Sequence, residues 1–162
     1  MQRLMPYLYI RASLLPKVEP VFEEGNEKNV TEDDYKRIHD VLLYKIGNAD
    51  AFPMIFDLGD PADGLYTGSI AECLTDIYQD LKDFVILYQT GTTEVMNDAV
   101  WECGMNFENI WGEKLLNTLR AVHKFLYSGK EIEAISPKEM ERDTDRWIIS
   151  RRQKDLTEDD EQ

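Results

Sequence analysis

Apolar residues recur at helical spacing along most of the chain. Residues 4–15 are apolar nearly all round and stop at Pro16, which predicts a short buried helix over about residues 6–15. Further amphipathic segments run from Thr31 to Gly47, from Ser69 to Gly91, and from residue 92 to 127. Ser69 and Glu72 form a capping box, so we place a helix start there.

The stretch from 92 to 127 carries two apolar faces. The apolar residues between 95 and 110 share one face, and those between 115 and 126 share another that is rotated by roughly 150°. A straight helix cannot bury both faces against one core. We therefore expect a kink or break around Gly104 to Gly112.

The remaining segments are less regular. Residues 48–68 are rich in proline and glycine, and FPMIFDLG (52–59) fits either an extended strip or a turn of helix. After Gly129, Ser136 and Pro137 mark the start of a possible helix over 137–152, which an acidic tail follows. The pattern predicts an all-α bundle of four to five helices in a domain of residues 1–129, with a C-terminal extension of residues 130–162.

Composition narrows the classes of function. Eighteen basic residues against 32 acidic ones give a net charge of −14 and a pI near 4.5, which disfavours binding to nucleic acid. No segment has the length and apolar character of a membrane span. Cys73 and Cys103 lie on apolar helix faces, outside any metal-binding spacing, and are interpreted as reduced core thiols of a cytoplasmic protein.

The negative charge is concentrated in two stripes. Between Ile46 and Glu113 there are thirteen acidic residues and a single basic one, Lys82. The acidic residues of the third and fourth helices recur every three or four positions, so that each set falls within one arc of about 80°. The first stripe is Glu72, Asp76, Asp80 and Asp83, and the second is Glu94, Asp98 and Glu102.

Three interpretations of these stripes are open. Exposed like charges repel only weakly in salt solution, so the simplest is a solvated surface. The second is a face for a basic protein partner, with the half-exposed Trp101 as an anchor beside Asp76, Asp80 and Asp83. The third is a metal site, because two helices joined by a tight turn run antiparallel and could bring all seven carboxylates around Mg²⁺ or Mn²⁺.

The metal interpretation carries an enzymatic alternative. Bound metal ions would activate water and neutralise charge in a divalent-metal-dependent nucleotide or phosphate hydrolase. The segment ECLTDIYQDL (72–81) is similar to the carboxylate helix of all-α nucleotide pyrophosphohydrolases of the MazG type. The preceding helix lacks the acidic motif that this family pairs with it.

Four segments together resemble a bacterial family of helical proteins, domain of unknown function DUF5063. They are YIRASLLP (9–16), TEDDYKRI (31–38), SIAECLTDIYQDLKDF (69–84) and MNDAVWECGMNFENIWGEKLLNTLRAVH (96–123). The resemblance spans about residues 4–127 and implies an all-helical, cytoplasmic protein without transferable catalytic residues. It also implies a further helix ahead of YIRASLLP in relatives, so we expect this chain to be a shortened form.

The sequence is best interpreted as a non-enzymatic binding or regulatory module with a protein partner and no cofactor. We expect no catalytic residues, and partner contacts through Trp101, Asp76, Asp80 and Asp83. The alternative is the hydrolase with Mg²⁺ or Mn²⁺ between the two stripes. Whether the stripes converge or face solvent distinguishes the two.

Overall fold

The computed structural model describes residues 1–22, 26–55 and 65–133, so the predicted helix over 137–152 and the acidic tail lie outside the described residues. A 3-10 turn, Gly47–Ala49, follows the second helix, and a π-helical turn, Phe107–Trp111, follows the fourth. The helices are α1 Leu4–Ser13, α2 Glu32–Ile46, α3 Ile70–Tyr88, α4 Thr93–Asn106 and α5 Gly112–Leu126, and the strands are β1 Ala51–Ile55 and β2 Leu65–Ser69.

The fold is mostly helical, as predicted, but it is not all-α. Strands β1 and β2 pair antiparallel, with Ala51 opposite Ser69. Phe52 and Met54 alternate inward from β1 and are buried, whereas Pro53 between them is exposed. A Cβ on Gly68 of β2 would lie 3.2 Å from the Met54 side chain and the Phe52 ring, so a larger residue there would require these side chains to shift. FPMIFDLG therefore begins as an extended strip.

Helix α3 occupies the centre of the molecule and contacts α2, α4 and α5. Its residue Ile77 packs in one buried cluster with Cys103 of α4 and Trp111 of the π-helical turn, and Cys73 packs in a second cluster with the strand residues Phe52 and Met54. Both thiols are free and buried, as the sequence predicts, and burial raises the pKa of each to about 11.

The junction between α4 and α5 is where the two apolar faces of the long stretch meet. The hydrogen-bonding pattern changes from α to π at Phe107 and returns to α at Gly112. Gly112 is buried against the backbone carbonyl of Phe107, so closely that a Cβ would overlap it. By contrast, Gly104 in α4 has nothing within 4 Å of the position of a Cβ.

Among the helices of the described residues, none combines the length and the apolar character required to cross a lipid bilayer.

Candidate functional site

The first acidic stripe begins at a well-capped helix start, whereas Thr92 at the start of α4 makes no side-chain capping hydrogen bond. The Ser69 side chain accepts a hydrogen bond from the Glu72 N–H at 3.0 Å, which confirms the predicted cap of α3. A second hydrogen bond caps the same helix start and is not predicted from the sequence: the buried Asp50 side chain accepts the Ala71 N–H at 2.7 Å. A carboxylate at this end of a helix also interacts favourably with its dipole.

The second stripe faces a segment that crosses over α4. We call residues 17–22 and 26–30 the crossing segment. The Asp98 carboxylate accepts the backbone N–H of Val21 at 2.7 Å and that of Phe22 at 2.8 Å, one on each oxygen. The neighbouring Asn97 donates to the Glu19 carbonyl at 2.7 Å. Burial acts to raise the pKa of Asp98, but the two backbone hydrogen bonds outweigh it and keep the pKa below its usual range.

The first stripe fixes the other end of the crossing segment. One oxygen of Asp83 accepts the backbone N–H groups of Asn29 at 2.7 Å and Val30 at 3.0 Å. The side chain is only 3% exposed, and its other oxygen, Oδ2, is buried without a hydrogen-bond partner among the described residues. Asp83 therefore fixes the chain immediately before α2 begins.

Lys28 lies among the carboxylates between the two stripes. Its ammonium contacts Glu102 at 2.7 Å, and the second Glu102 oxygen accepts from Asn26 at 2.7 Å. Burial acts to lower the pKa of Lys28, but Glu102 and the charges of Asp80 and Asp83 outweigh it and raise the pKa. The cavity that these four charged residues share has a volume of about 10 Å³, room for at most one water molecule.

Asp76 bridges three helices. One of its oxygens accepts from the Tyr35 hydroxyl of α2, and the other pairs with the Lys114 ammonium of α5. Burial works against the Lys114 charge, but the adjacent Asp76 carboxylate outweighs it and raises the pKa of Lys114. Half-buried Glu72 has a raised pKa through burial and the charge of Asp76.

These contacts correct the simplest interpretation of the stripes. A solvated surface is wrong for Asp83 and Asp98, each of which is 3% exposed, whereas Glu94 in the first turn of α4 is exposed. Nor do the seven carboxylates meet at one point: Asp76 turns to α2 and α5, and Asp98 turns to Val21. Within residues 1–22, 26–55 and 65–133, no group of three or more potential ligands is placed to hold a metal ion.

The spacing of the acidic residues does not predict the partners of these carboxylates. Lys28, Tyr35 and Lys114 all lie outside the acid-rich window between Ile46 and Glu113 or at its edge, so a count along the chain misses them. A weak signal exists in the polar run NEKNV (26–30), which precedes the cap of α2. The side chains of Asn26 and Lys28 in this run contact Glu102, whereas Asp83 accepts the backbone N–H groups of Asn29 and Val30.

Trp101 of α4 lies between Asp98 and Glu102 in the sequence. It is partly exposed and lines a groove of about 450 Å³ with Met105, Phe107, and residues 15–19 at the end of α1 and the start of the crossing segment. We call this the Trp101 groove. Lys17 and Glu108 form an exposed ion pair of 3.5 Å at its rim.

A comparison with protein families tests the resemblance to a known family that four segments of the sequence indicate. The profile of the family described as "Domain of unknown function (DUF5063)" matches residues 1–128. The chain belongs to the DUF5063 family. The family has no assigned function, and none of the curated proteins compared with this chain matches it.

A solved structure supports the fold. The chain is similar to protein BF1032 from Bacteroides fragilis, with 37% sequence identity and a TM-score of 0.68. The match covers 82% of this chain and 77% of the other. The fold of this chain therefore has an experimental counterpart in a bacterial protein.

Proposed function

We propose that this DUF5063 chain is a cytoplasmic, non-enzymatic binding module whose Trp101 groove accepts a short segment of a protein partner. The supporting observation is the groove itself, about 450 Å³ in volume and lined by Trp101, Met105 and Phe107. Tryptophan is among the residues that contribute most to binding energy at protein interfaces, and methionine adapts to irregular apolar surfaces.

The charge around the groove favours a particular partner. Glu19 and Glu108 line it with a single cationic residue, Lys17, in a chain with a net charge of −14. A segment that presents one apolar side chain beside basic residues would fill the groove and complement its rim. The negative field of the whole molecule would also accelerate the approach of such a partner.

In this proposal the buried carboxylates act indirectly. Asp98 and Asn97 fix residues 19–22, which continue from the wall of the groove formed by residues 15–19. Asp76, Asp80 and Asp83 already have intramolecular partners, so they hold neighbouring elements against α3 rather than contact the partner. Trp101 remains the predicted anchor.

The geometry supports the metal-dependent hydrolase less well. A divalent ion between the stripes would have to displace the Lys28 ammonium from Glu102, and Asp98 would have to release two backbone N–H groups. Both changes would cost the charge-assisted hydrogen bonds that fix the crossing segment.

The finer architecture belongs to the same proposal. We describe the helices as a bundle of four to five members, with the long stretch redirected at the π-helical turn Phe107–Trp111. That redirection would account for its two apolar faces and would leave Trp101 and Met105 at the mouth of the groove.

Peptide display tests the binding proposal. A library of random peptides is selected against the full-length chain, and the enriched peptides are measured against Trp101→Ala. We expect peptides with an apolar residue flanked by Lys or Arg, whose affinity falls about tenfold or more in Trp101→Ala. Tyr44→Ala removes an exposed aromatic residue on α2 and is the matched control.

The control makes the result decisive. Circular dichroism establishes that both variants are folded. Peptides that bind Trp101→Ala as well as the wild-type chain, or that lose equal affinity in Tyr44→Ala, would refute a site at the Trp101 groove.

A further inference from the structure

A second groove, on the other side of α1, differs from the rest of the molecule in charge. It has a volume of about 670 Å³ and lies between the start of α1 and α5. A smaller cavity of about 290 Å³ lies beside β1, and the two share Arg120. We call them together the basic groove. Among the described residues, no acidic side chain lines either part, and the cationic lining residues are Arg3, Arg120, Lys124 and Lys130, with His123.

The positive charge is not explained by helix capping alone. His123 and Lys124 lie in the last turn of α5, where cations interact favourably with the helix dipole. Arg3, however, is the N-cap residue of α1, where the dipole disfavours a cation, and Lys130 lies beyond α5. The basic groove also has an apolar part, because Leu116 and Tyr127 are 47% and 72% exposed. Its chemistry fits an acidic segment with apolar anchors.

The chain itself contains such a segment. Residues 155–162 carry five acidic residues and no basic one, and Trp147, Ile148 and Ile149 precede them. Arg151, Arg152 and Lys154 lie between the apolar residues and the acidic run, so five acidic residues against three basic ones leave residues 147–162 with a net charge of −2.

The chain also approaches the basic groove at the right place. The backbone N–H of Asn48 donates to the Glu133 carbonyl at 3.1 Å, and the Glu133 N–H donates to the Asn48 side chain at 3.2 Å. Asn48 lines the smaller cavity, so Glu133 lies at the edge of the groove. Trp147 lies fourteen positions after Glu133, and at about 3.3 Å per residue the chain between them spans up to about 45 Å.

We infer that residues 147–162 dock intramolecularly in the basic groove. The apolar residues cover Leu116 and Tyr127, and the carboxylates face the arginines and lysines. Attachment to the same chain gives the segment a high effective concentration at the groove, so even weak contacts keep it bound. An acidic ligand from outside would have to displace it. The basic groove is separate from the Trp101 groove, so this inference does not depend on the proposed function.

Zero-length carbodiimide cross-linking of the full-length monomer tests the inference, because it joins a lysine only to a carboxylate in direct contact. Mass spectrometry then identifies the joined peptides. We expect links from Lys124 and Lys130 to residues 155–161, about tenfold more abundant than links from the exposed Lys36, Lys45 and Lys82 to the same residues.

Variants separate docking from chance encounters of an acidic segment with the surface. Arg3→Glu removes a groove cation without removing a reactive lysine, and Trp147→Ala removes the apolar anchor. Each should lower the Lys124 and Lys130 links about tenfold and leave the Lys82 links unchanged. Equal links to all the exposed lysines, or links unaffected by both variants, would overturn the inference. Links found only between isotope-labelled and unlabelled molecules would also overturn it, because the occupant would then be a second copy.

Discussion

The Asp98 carboxylate accepts the backbone N–H of Val21 at 2.7 Å, across 77 positions of sequence. Its other oxygen accepts the next backbone N–H, so one side chain of α4 holds two consecutive peptide groups. Asp83 does the same for two further N–H groups with one oxygen. Buried backbone donors require partners, and a segment without helix or strand hydrogen bonds obtains them here from carboxylates. The acidic stripes thus stabilise the crossing segment.

The two glycines of the α4–α5 region should respond in opposite ways to alanine. Gly112→Ala places a Cβ against the Phe107 carbonyl and should lower the free energy of unfolding by about 1–3 kcal/mol. Gly104→Ala meets open space inside a helix and should raise it by about 0.5–1 kcal/mol. Urea denaturation measures both. Equal effects would show that the close approach at Gly112 is not tight.

Asp76 should be the most costly of the half-buried carboxylates to remove. Asp76→Ala leaves the Lys114 ammonium and the Tyr35 hydroxyl without that partner, so we expect a loss of about 2 kcal/mol in the free energy of unfolding. Glu94→Gln on exposed α4 surface is the control and should change it by less than about 0.5 kcal/mol. A loss no larger than that of the control would contradict the bridging role.

Asp80 and Asp98 should make the free energy of unfolding depend on pH in opposite directions. Burial raises the pKa of Asp80, so the folded chain retains this proton above the pH at which the unfolded chain loses it. Stability therefore falls as pH rises from about 4 through the raised pKa. Asp80→Asn should flatten this part of the profile in urea denaturation between pH 4 and 7. An unchanged slope would contradict the burial of the charge.

Asp98 has the reverse dependence. Its folded-state pKa is below the unfolded one, so its contribution is present above about pH 4 and disappears as pH falls through the folded-state pKa. The difference in stability between the wild-type chain and Asp98→Asn should be full at neutral pH and shrink below about pH 4. A difference that persists in acid would mean that the carboxylate charge is not the source of the stabilisation.

Divalent cations should not stabilise the protein. A ligand that binds only the folded chain raises the melting temperature, and the Lys28 ammonium already pairs with Glu102 in the cavity that a cation would have to enter. Thermal unfolding with millimolar Mg²⁺, Mn²⁺ or Ca²⁺ should give an unchanged melting temperature. A rise that disappears in Asp80→Asn and Glu102→Gln would restore the metal site.

The sequence predicts the helices better than it predicts what their polar faces contact. Local patterns, such as the capping box at Ser69 and the apolar spacing of α3, depend on neighbours in the chain. The sequence does not decide between an extended strip and a turn of helix for the segment that forms β1, because a five-residue strand that contains a proline carries little periodicity. The partners of Asp98 and Asp83 are backbone groups, and every residue except proline has one, so no residue type marks them.

Trp101 illustrates the same limit at the candidate site. Its position between two acidic residues of α4 predicts partial exposure, and the structure has it partly exposed. The groove beside it requires residues 15–19, more than 80 positions earlier, and these are placed there by Asn97 and Asp98. The pattern of polar and apolar residues along α4 contains no information about residues 15–19, which form the facing wall of the groove.

Amide hydrogen exchange tests most directly whether the carboxylates hold the crossing segment. Asp98→Asn keeps one accepting oxygen and turns an amide N–H₂ toward the second backbone donor. We predict much faster exchange at Val21 and Phe22 in this variant, with Asn29 and Val30 still protected by Asp83 and no change in Glu94→Gln. Unchanged protection of Val21 and Phe22 in Asp98→Asn would contradict the role of the acidic stripes as anchors.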